Sequence, residues 1–248
     1  MKIYAGLSIS EQEVRDVLAD ATFARPVQRG DLHADIDAGH RVVAIVDGRF
    51  QQSLAVSVGE IMDALRCGVR IYGASSLGAL RAAELDRYGM IGHGAIYEHV
   101  RAASCFRDDY LGQLFFEGIP NHKNPSVPYI NLHFALRGLL ERRAIDEPTR
   151  AATDELYKRL HFSERDRFNL ERAINEQDGS PELLAAARLA FEQPDQKHLD
   201  ALSLLERIKT DLVTIADTNT TLAKQLREVR RFPALEPSPL SQIEALKL

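Results

Sequence analysis

Between Gly73 and Glu84 the sequence GASSLGALRAAE gathers the groups that acyl-transfer chemistry uses. Ser75 and Ser76 offer hydroxyl nucleophiles, and Gly73 and Gly78 allow backbone to approach closely. Arg81 and Glu84 follow one helical turn on, spaced i, i+3, as a cation and a carboxylate on neighbouring helix positions. A nucleophile, an anion hole, an anion-binding cation and a proton acceptor can all come from this run. A plainer reading uses the same residues: serine at a strand-to-helix turn is a common N-cap, and Arg81 with Glu84 an ordinary exposed pair.

Both readings need the same local structure. Residues 69–72, VRIY, read as a short buried strand, and the residues after the turn carry Leu77, Leu80 and Leu85 on one side of a helix. The first backbone N–H groups of that helix have no acceptor within it and point at whatever lies in front of them.

The chain around this point alternates strand and helix. Residues 2–7, KIYAGL, form a first strand, and Ser10 with Glu13 makes a capping box for a helix bearing Val14, Val17 and Leu18 inward. Residues 41–47, RVVAIVD, are a continuous apolar run of the kind buried on both faces of a parallel sheet. Ser57 with Glu60 makes a second capping box, followed by Val58, Ile61, Met62 and Leu65 at helical spacing. The pattern predicts an α/β fold with a mostly parallel sheet flanked by helices in three layers. In such sheets ligands bind beyond the carboxyl ends of the strands, where Asp47 and the Gly73–Ser76 turn would meet if their strands are neighbours. Residues 87–94, RYGMIGHG, read as a glycine-punctuated loop, and residues 121–128, NHKNPSVP, as turns.

From residue 146 the pattern changes to helices alone. Asp146 with Pro148, Ser163 with Asp166, and Ser180 with Pro181 each start one, and a long amphipathic helix runs from residue 195 to about 230. The expected organisation is an α/β core domain at 1–143, an all-helical appendage at 146–230, and a linker and tail at 231–248.

The 248 residues carry a formal net charge of −5, 45% apolar and 27% charged residues, which describes an ordinary globular chain and argues against a nucleic-acid surface. Cys67 and Cys105 are the only cysteines, too few for a disulfide framework or a thiolate metal site. No apolar run reaches the roughly 18 residues that span a bilayer, and no apolar signal segment follows Met1; a cytoplasmic protein without a membrane partner is expected. There is neither a GxGxxG nor a GxxxxGK[ST] run, so no nucleotide cofactor is expected, and no histidine pair has a metal-ligand spacing.

The stretch from IVDG at Ile45 through YGASSLGALRAAEL to the GMIG at Gly89 resembles the TfuA-like family, with likeness extending over roughly residues 1–140. That resemblance implies partnership with a YcaO enzyme, which activates a peptide amide oxygen by phosphorylation so that sulfur can replace it. The TfuA-like partner would take a thiocarboxylated sulfur carrier of the ThiS type and release sulfide from it; a precursor peptide is a further expected partner. Under this implication Ser76 attacks or orients water, backbone N–H groups from Ser76 to Ala79 hold the oxyanion, Arg81 holds the thioacid, and Glu84 or Asp47 takes the proton. Ser76-Leu77-Gly78-Ala79 also resembles the Ser-Met-Gly-Ala turn of ClpP-like serine peptidases, which favours Ser76 over Ser75. His93, His99, His122 and His133 are candidate bases without a motif, and Cys67 reads as buried rather than as a persulfide carrier. The alternative is a non-catalytic adaptor in which the same turn cradles a carboxylate or thiocarboxylate.

Overall fold

Val42–Ile45 ends in three fully buried residues and has a strand on either side, as its apolar run requires. In the computed structural model of the chain, residues 1–50, 54–114, 126–177 and 179–229 are described, with side chains to residue 214. The strands are β1 (Lys2–Tyr4), β2 (Thr22–Ala24), β3 (Val42–Ile45), β4 (Arg70–Gly73) and β5 (Ile91–Gly92). Between and after them lie α1 (Glu11–Val17), α2 (Asp31–Asp37), α3 (Val58–Arg66), α4 (Leu77–Leu85) and α5 (Ala95–Ala102).

All five strands are parallel, in the order β2-β1-β3-β4-β5. The chain moves outward from β1 to β2, returns past β1 to β3, and then proceeds to the other edge. Because crossovers are right-handed, α1 covers one face of the sheet and α2, α3 and α4 the other. The change of direction falls between β1 and β3, the position at which doubly wound sheets open a crevice. The expected α/β fold with a parallel, helix-flanked sheet is therefore present.

Local signals worked unevenly. Ser10 and Glu13 form the expected capping box. At α3 only half of the second box exists: the Ser57 hydroxyl accepts the Glu60 N–H, whereas the Glu60 carboxylate accepts the N–H groups of Gly30 and Leu32 at 2.9 Å each and caps α2 from across the fold. Val58, at helical spacing with Ile61, Met62 and Leu65, is exposed. The loop expected at 87–94 contains β5, whose Ile91 and Gly92 pair with Tyr72 and Gly73; two residues flanked by glycines leave no periodic signal.

The helices that follow are α6 (Tyr129–Glu141), α7 (Glu147–Arg159), α8 (Arg167–Asn175), α9 (Pro181–Phe191) and α10 (Gln196–Val229). Asp166, not Ser163, caps α8; Ser163 sits in the preceding 3-10 turn. Leu132, Leu136 and Leu139 of α6 share one buried cluster with Leu156 and Tyr157 of α7, Leu170 and Ile174 of α8, and Ala187 and Ala190 of α9. Thus α6, grouped by sequence with residues 1–143, packs with the helices beyond residue 146. Met1–Arg207 is one compact unit; from Ile208 the described chain continues as α10. Residues 121–125, including His122, and the tail expected at 231–248 lie outside the described residues.

Candidate functional site

The turn between β4 and α4 is shaped by close contact. A Cβ on Gly78 would stand 1.8 Å from the Ile45 carbonyl oxygen, and one on Gly73 would stand 2.2 Å from the Gly78 oxygen. The two glycines expected to admit a ligand therefore serve to seat the first turn of α4 directly on the ends of β3 and β4. Between them Ser75 adopts φ +69°, a left-handed conformation that costs a non-glycine residue about 1–2 kcal/mol. Such strain persists where surrounding structure dictates it and clusters at functional sites.

Neither hydroxyl caps the helix. Ser76 occupies the N-cap position with φ −105° and ψ −121° and makes no side-chain cap hydrogen bond. The Ser75 Oγ is buried without a partner among the described residues. The capping reading, which the sequence left open, does not describe this turn. The expected anion hole is narrower than the 76–79 run suggested: the Ser76 and Gly78 N–H groups reach the Val46 oxygen at 3.3 and 3.4 Å, and the Ala79 N–H bonds the Ser76 oxygen at 3.1 Å. Leu77, the first residue of α4, has no intrahelical acceptor for its N–H.

A cavity of about 460 Å³ opens where the sheet order reverses. Leu7 reaches it from the loop after β1, Gly48 and Phe50 from the loop after β3, Ser76 from the turn, and Leu111 and Lys197 from the chain beyond the sheet. Asp47 holds one wall in place. Its Oδ2 accepts the N–H groups of Gly6, Leu7 and Ser8 at 3.1, 2.9 and 2.8 Å, and its Oδ1 accepts the Ser8 hydroxyl at 2.6 Å. With both oxygens engaged and the side chain fully buried, Asp47 is an anchor for the β1 loop, not the proton acceptor expected of it.

Arg81 and Glu84 are likewise placed elsewhere. Arg81 donates to the Val56 carbonyl through Nε at 3.2 Å and to Glu84 at 2.7 Å, and neither residue lines the cavity. They form the ordinary i, i+3 pair. Among the described histidines none lines the cavity. His93 bonds the Ser203 hydroxyl at 2.8 Å, while His99 and His133 lie ring against ring at 4.9 Å, with His133 bonded to Asp154 at 3.0 Å. Cys67 and Cys105 are both exposed, which corrects the expectation that Cys67 is buried. No group of His, Cys, Asp and Glu among the described residues has the arrangement of a metal site.

The residue that sequence reading missed is Lys197. Asp195 caps α10 by accepting the Lys197 and His198 N–H groups at 2.8 and 3.2 Å, and the Asn131 side chain of α6 also accepts the Lys197 N–H. The ammonium is thereby carried into the cavity wall, where Nζ donates to the Leu111 carbonyl at 3.1 Å and to the Gln113 side chain at 3.3 Å. Burial pushes its pKa down, opposed by the charges of Asp47 and Asp195. A signal for it exists: residues 197, 200, 201, 204 and 205 recur at i, i+3, i+4, i+7 and i+8, so a lysine and an aspartate stand on the apolar stripe of α10. That aspartate, Asp200, accepts the Ala95 and Ile96 N–H groups at 3.1 and 2.8 Å and caps α5; burial raises its pKa despite these donors. His198 bonds the Ser8 carbonyl at 2.9 Å. The start of α10 therefore lies across the strand ends, tied to the loops after β1 and β5.

Fold and site together define an α/β protein with a strained serine turn facing a cavity at its topological switch point. Residues 47–166 match the model of the family described as TfuA-like protein, so the resemblance seen in the YGASSLGALRAAEL run is borne out over this part of the chain. The matched residues hold Ser75 and Ser76, whereas Lys197 lies outside them. TfuA-like proteins are associated with YcaO-dependent thioamidation, the context that the match over residues 47–166 suggests. No curated protein matches the chain. No helix among the described residues is long and apolar enough to cross a membrane.

Proposed function

We propose that this chain supplies sulfide to a YcaO enzyme by hydrolysing a thiocarboxylated carrier of the ThiS type, with Ser76 as nucleophile. A flexible Gly-Gly tail enters the cavity between the β1 and β3 loops and brings its acyl carbon to the Ser76 hydroxyl. The Ser76 oxygen forms a bond to that carbon, the carbon–sulfur bond breaks, and the serine proton leaves with sulfur as hydrosulfide. Water then cleaves the ester, restoring the hydroxyl and releasing the carrier carboxylate and a proton. The Leu77 N–H at the start of α4 is the donor for the oxyanion in both steps. Ser75 contributes the shape of the turn.

The observation that carries this reading is that Ser76 sits at a strand-to-helix turn, borders the cavity and does not cap the helix with its hydroxyl. The YcaO enzyme, the carrier and a precursor peptide are the partners it requires. Incubating the chain with thiocarboxylated carrier in the absence of YcaO tests it: hydrosulfide should appear faster than from the carrier alone. Stable carrier binding with no acceleration would favour the adaptor reading.

A further inference from the structure

Lys197 is a buried cation beside a cavity, and among the described residues no carboxylate forms an ion pair or hydrogen bond with its ammonium. An ammonium taken out of water is costly unless it is paired. Its two hydrogen-bond acceptors, the Leu111 carbonyl and the Gln113 side chain, are both uncharged. Of the two carboxylates whose charge acts on it, Asp195 accepts the Lys197 and His198 backbone N–H groups and Asp47 is committed to four donors from Gly6, Leu7 and Ser8. Two acids border the cavity among the described residues: Asp109 is held by Arg165 at 2.7 Å and Arg107 at 2.8 Å, and Asp108 is exposed to solvent. An ammonium has three donors, and among the described residues two are used. The cavity that Lys197 borders is also bordered by Ser76, so a group bound in it can meet both residues.

We propose that Lys197 is an anion-binding residue of this site: it receives the negative charge at the C-terminal end of the substrate chain, a thiocarboxylate before reaction and a carboxylate after it. This assignment rests on the hydrolase reading for its thiocarboxylate form, and it transfers to α10 the role that the sequence offered to Arg81. It makes the site selective for chain ends over internal acyl groups, because an amide or ester at the same place leaves the buried ammonium without a counter-charge. It also makes the helical part of the chain a component of the site.

The test needs no chemistry. Two short peptides ending in Gly-Gly, one with a free carboxylate and one with a C-terminal amide, are titrated against the full chain by calorimetry. The wild type should bind the carboxylate about ten- to a hundredfold more tightly than the amide, as expected for loss of one charge-assisted hydrogen bond. Lys197→Met should bind the two alike, with Lys197→Gln as a second variant if the first fails to fold, and thermal unfolding of each as the control. A merely structural lysine would change stability and leave the preference intact. Equal binding of the two peptides to the wild type, binding of neither, or a preference that survives in a folded Lys197 variant overturns the assignment. Hydrosulfide release, assayed separately, decides the hydrolase reading on its own.

Discussion

The Asp47 carboxylate and the Ser8 hydroxyl meet at 2.6 Å, joining the loop after β1 to the end of β3 on the two sides of the switch point. Three backbone N–H groups from the same loop converge on the other carboxylate oxygen. Asp47→Ala leaves these buried donors unsatisfied and should cost roughly 2–4 kcal/mol. Asp47→Asn removes a charge but keeps an acceptor, so it should lose stability without shifting the pH dependence of hydrosulfide release. A displaced pH–rate profile in a folded Asp47→Asn would restore Asp47 as a proton acceptor.

The seat of α4 gives a second expectation. A methyl group on Gly78 collides with the Ile45 oxygen, so Gly78→Ala should destabilise by about 3 kcal/mol or prevent folding. Gly59 on α3 is the contrast, since its nearest foreign atom is 3.9 Å away; Gly59→Ala should be neutral or stabilising by up to about 1 kcal/mol. Chemical denaturation of both variants compares them directly, and equal effects would contradict the close packing of Gly78 on the Ile45 carbonyl.

The Arg81–Glu84 pair lies apart from the cavity, and Glu84 is 39% exposed. Glu84→Gln should therefore change stability by less than about 1 kcal/mol and leave hydrosulfide release within a small factor of the wild-type rate. A large loss of turnover with unchanged stability would return Glu84 to the reacting centre.

Acid should weaken the fold through His99. Burial first, then the charges of His133 and Arg137, hold its pKa below the ordinary histidine value. The unfolded chain then binds the proton more readily, so stability falls as pH drops through the ordinary histidine range near about 6.5. Asp154 is held low as well: burial raises it, but the hydrogen bond and charge of His133, with Tyr129 and Arg150, outweigh that. Its contribution is present above the ordinary aspartate range and is lost at more acid pH. Denaturation of wild type and His99→Phe across pH 5–8 separates the two, and the variant should show the flatter profile. Parallel profiles would remove His99 as the cause.

The sheet was legible because strands buried on both faces, such as β3, read as uninterrupted apolar runs, and because Ser10 and Glu13 satisfy each other within a few residues. β5 was not, since its order comes from pairing with β4 and not from its own two residues. The serine turn was found by residue type alone. What its neighbours do could not be read locally: Asp47 spends its oxygens on residues some forty positions away, Arg81 on Val56, and Glu60 on α2. Lys197 lies farther still in sequence, and its only trace is a charge on an apolar stripe. The spacing rules that find helices report which face is buried, not what that face meets.

The most direct measurement is hydrosulfide release from a thiocarboxylated ThiS-type carrier by wild type, Ser76→Ala and Ser75→Ala, without YcaO and with carrier binding followed in parallel. Wild type should turn over, Ser76→Ala should bind carrier with its turnover abolished, and Ser75→Ala should retain turnover at a rate set by the altered turn. Undiminished release by a folded Ser76→Ala variant would contradict nucleophilic catalysis at this turn.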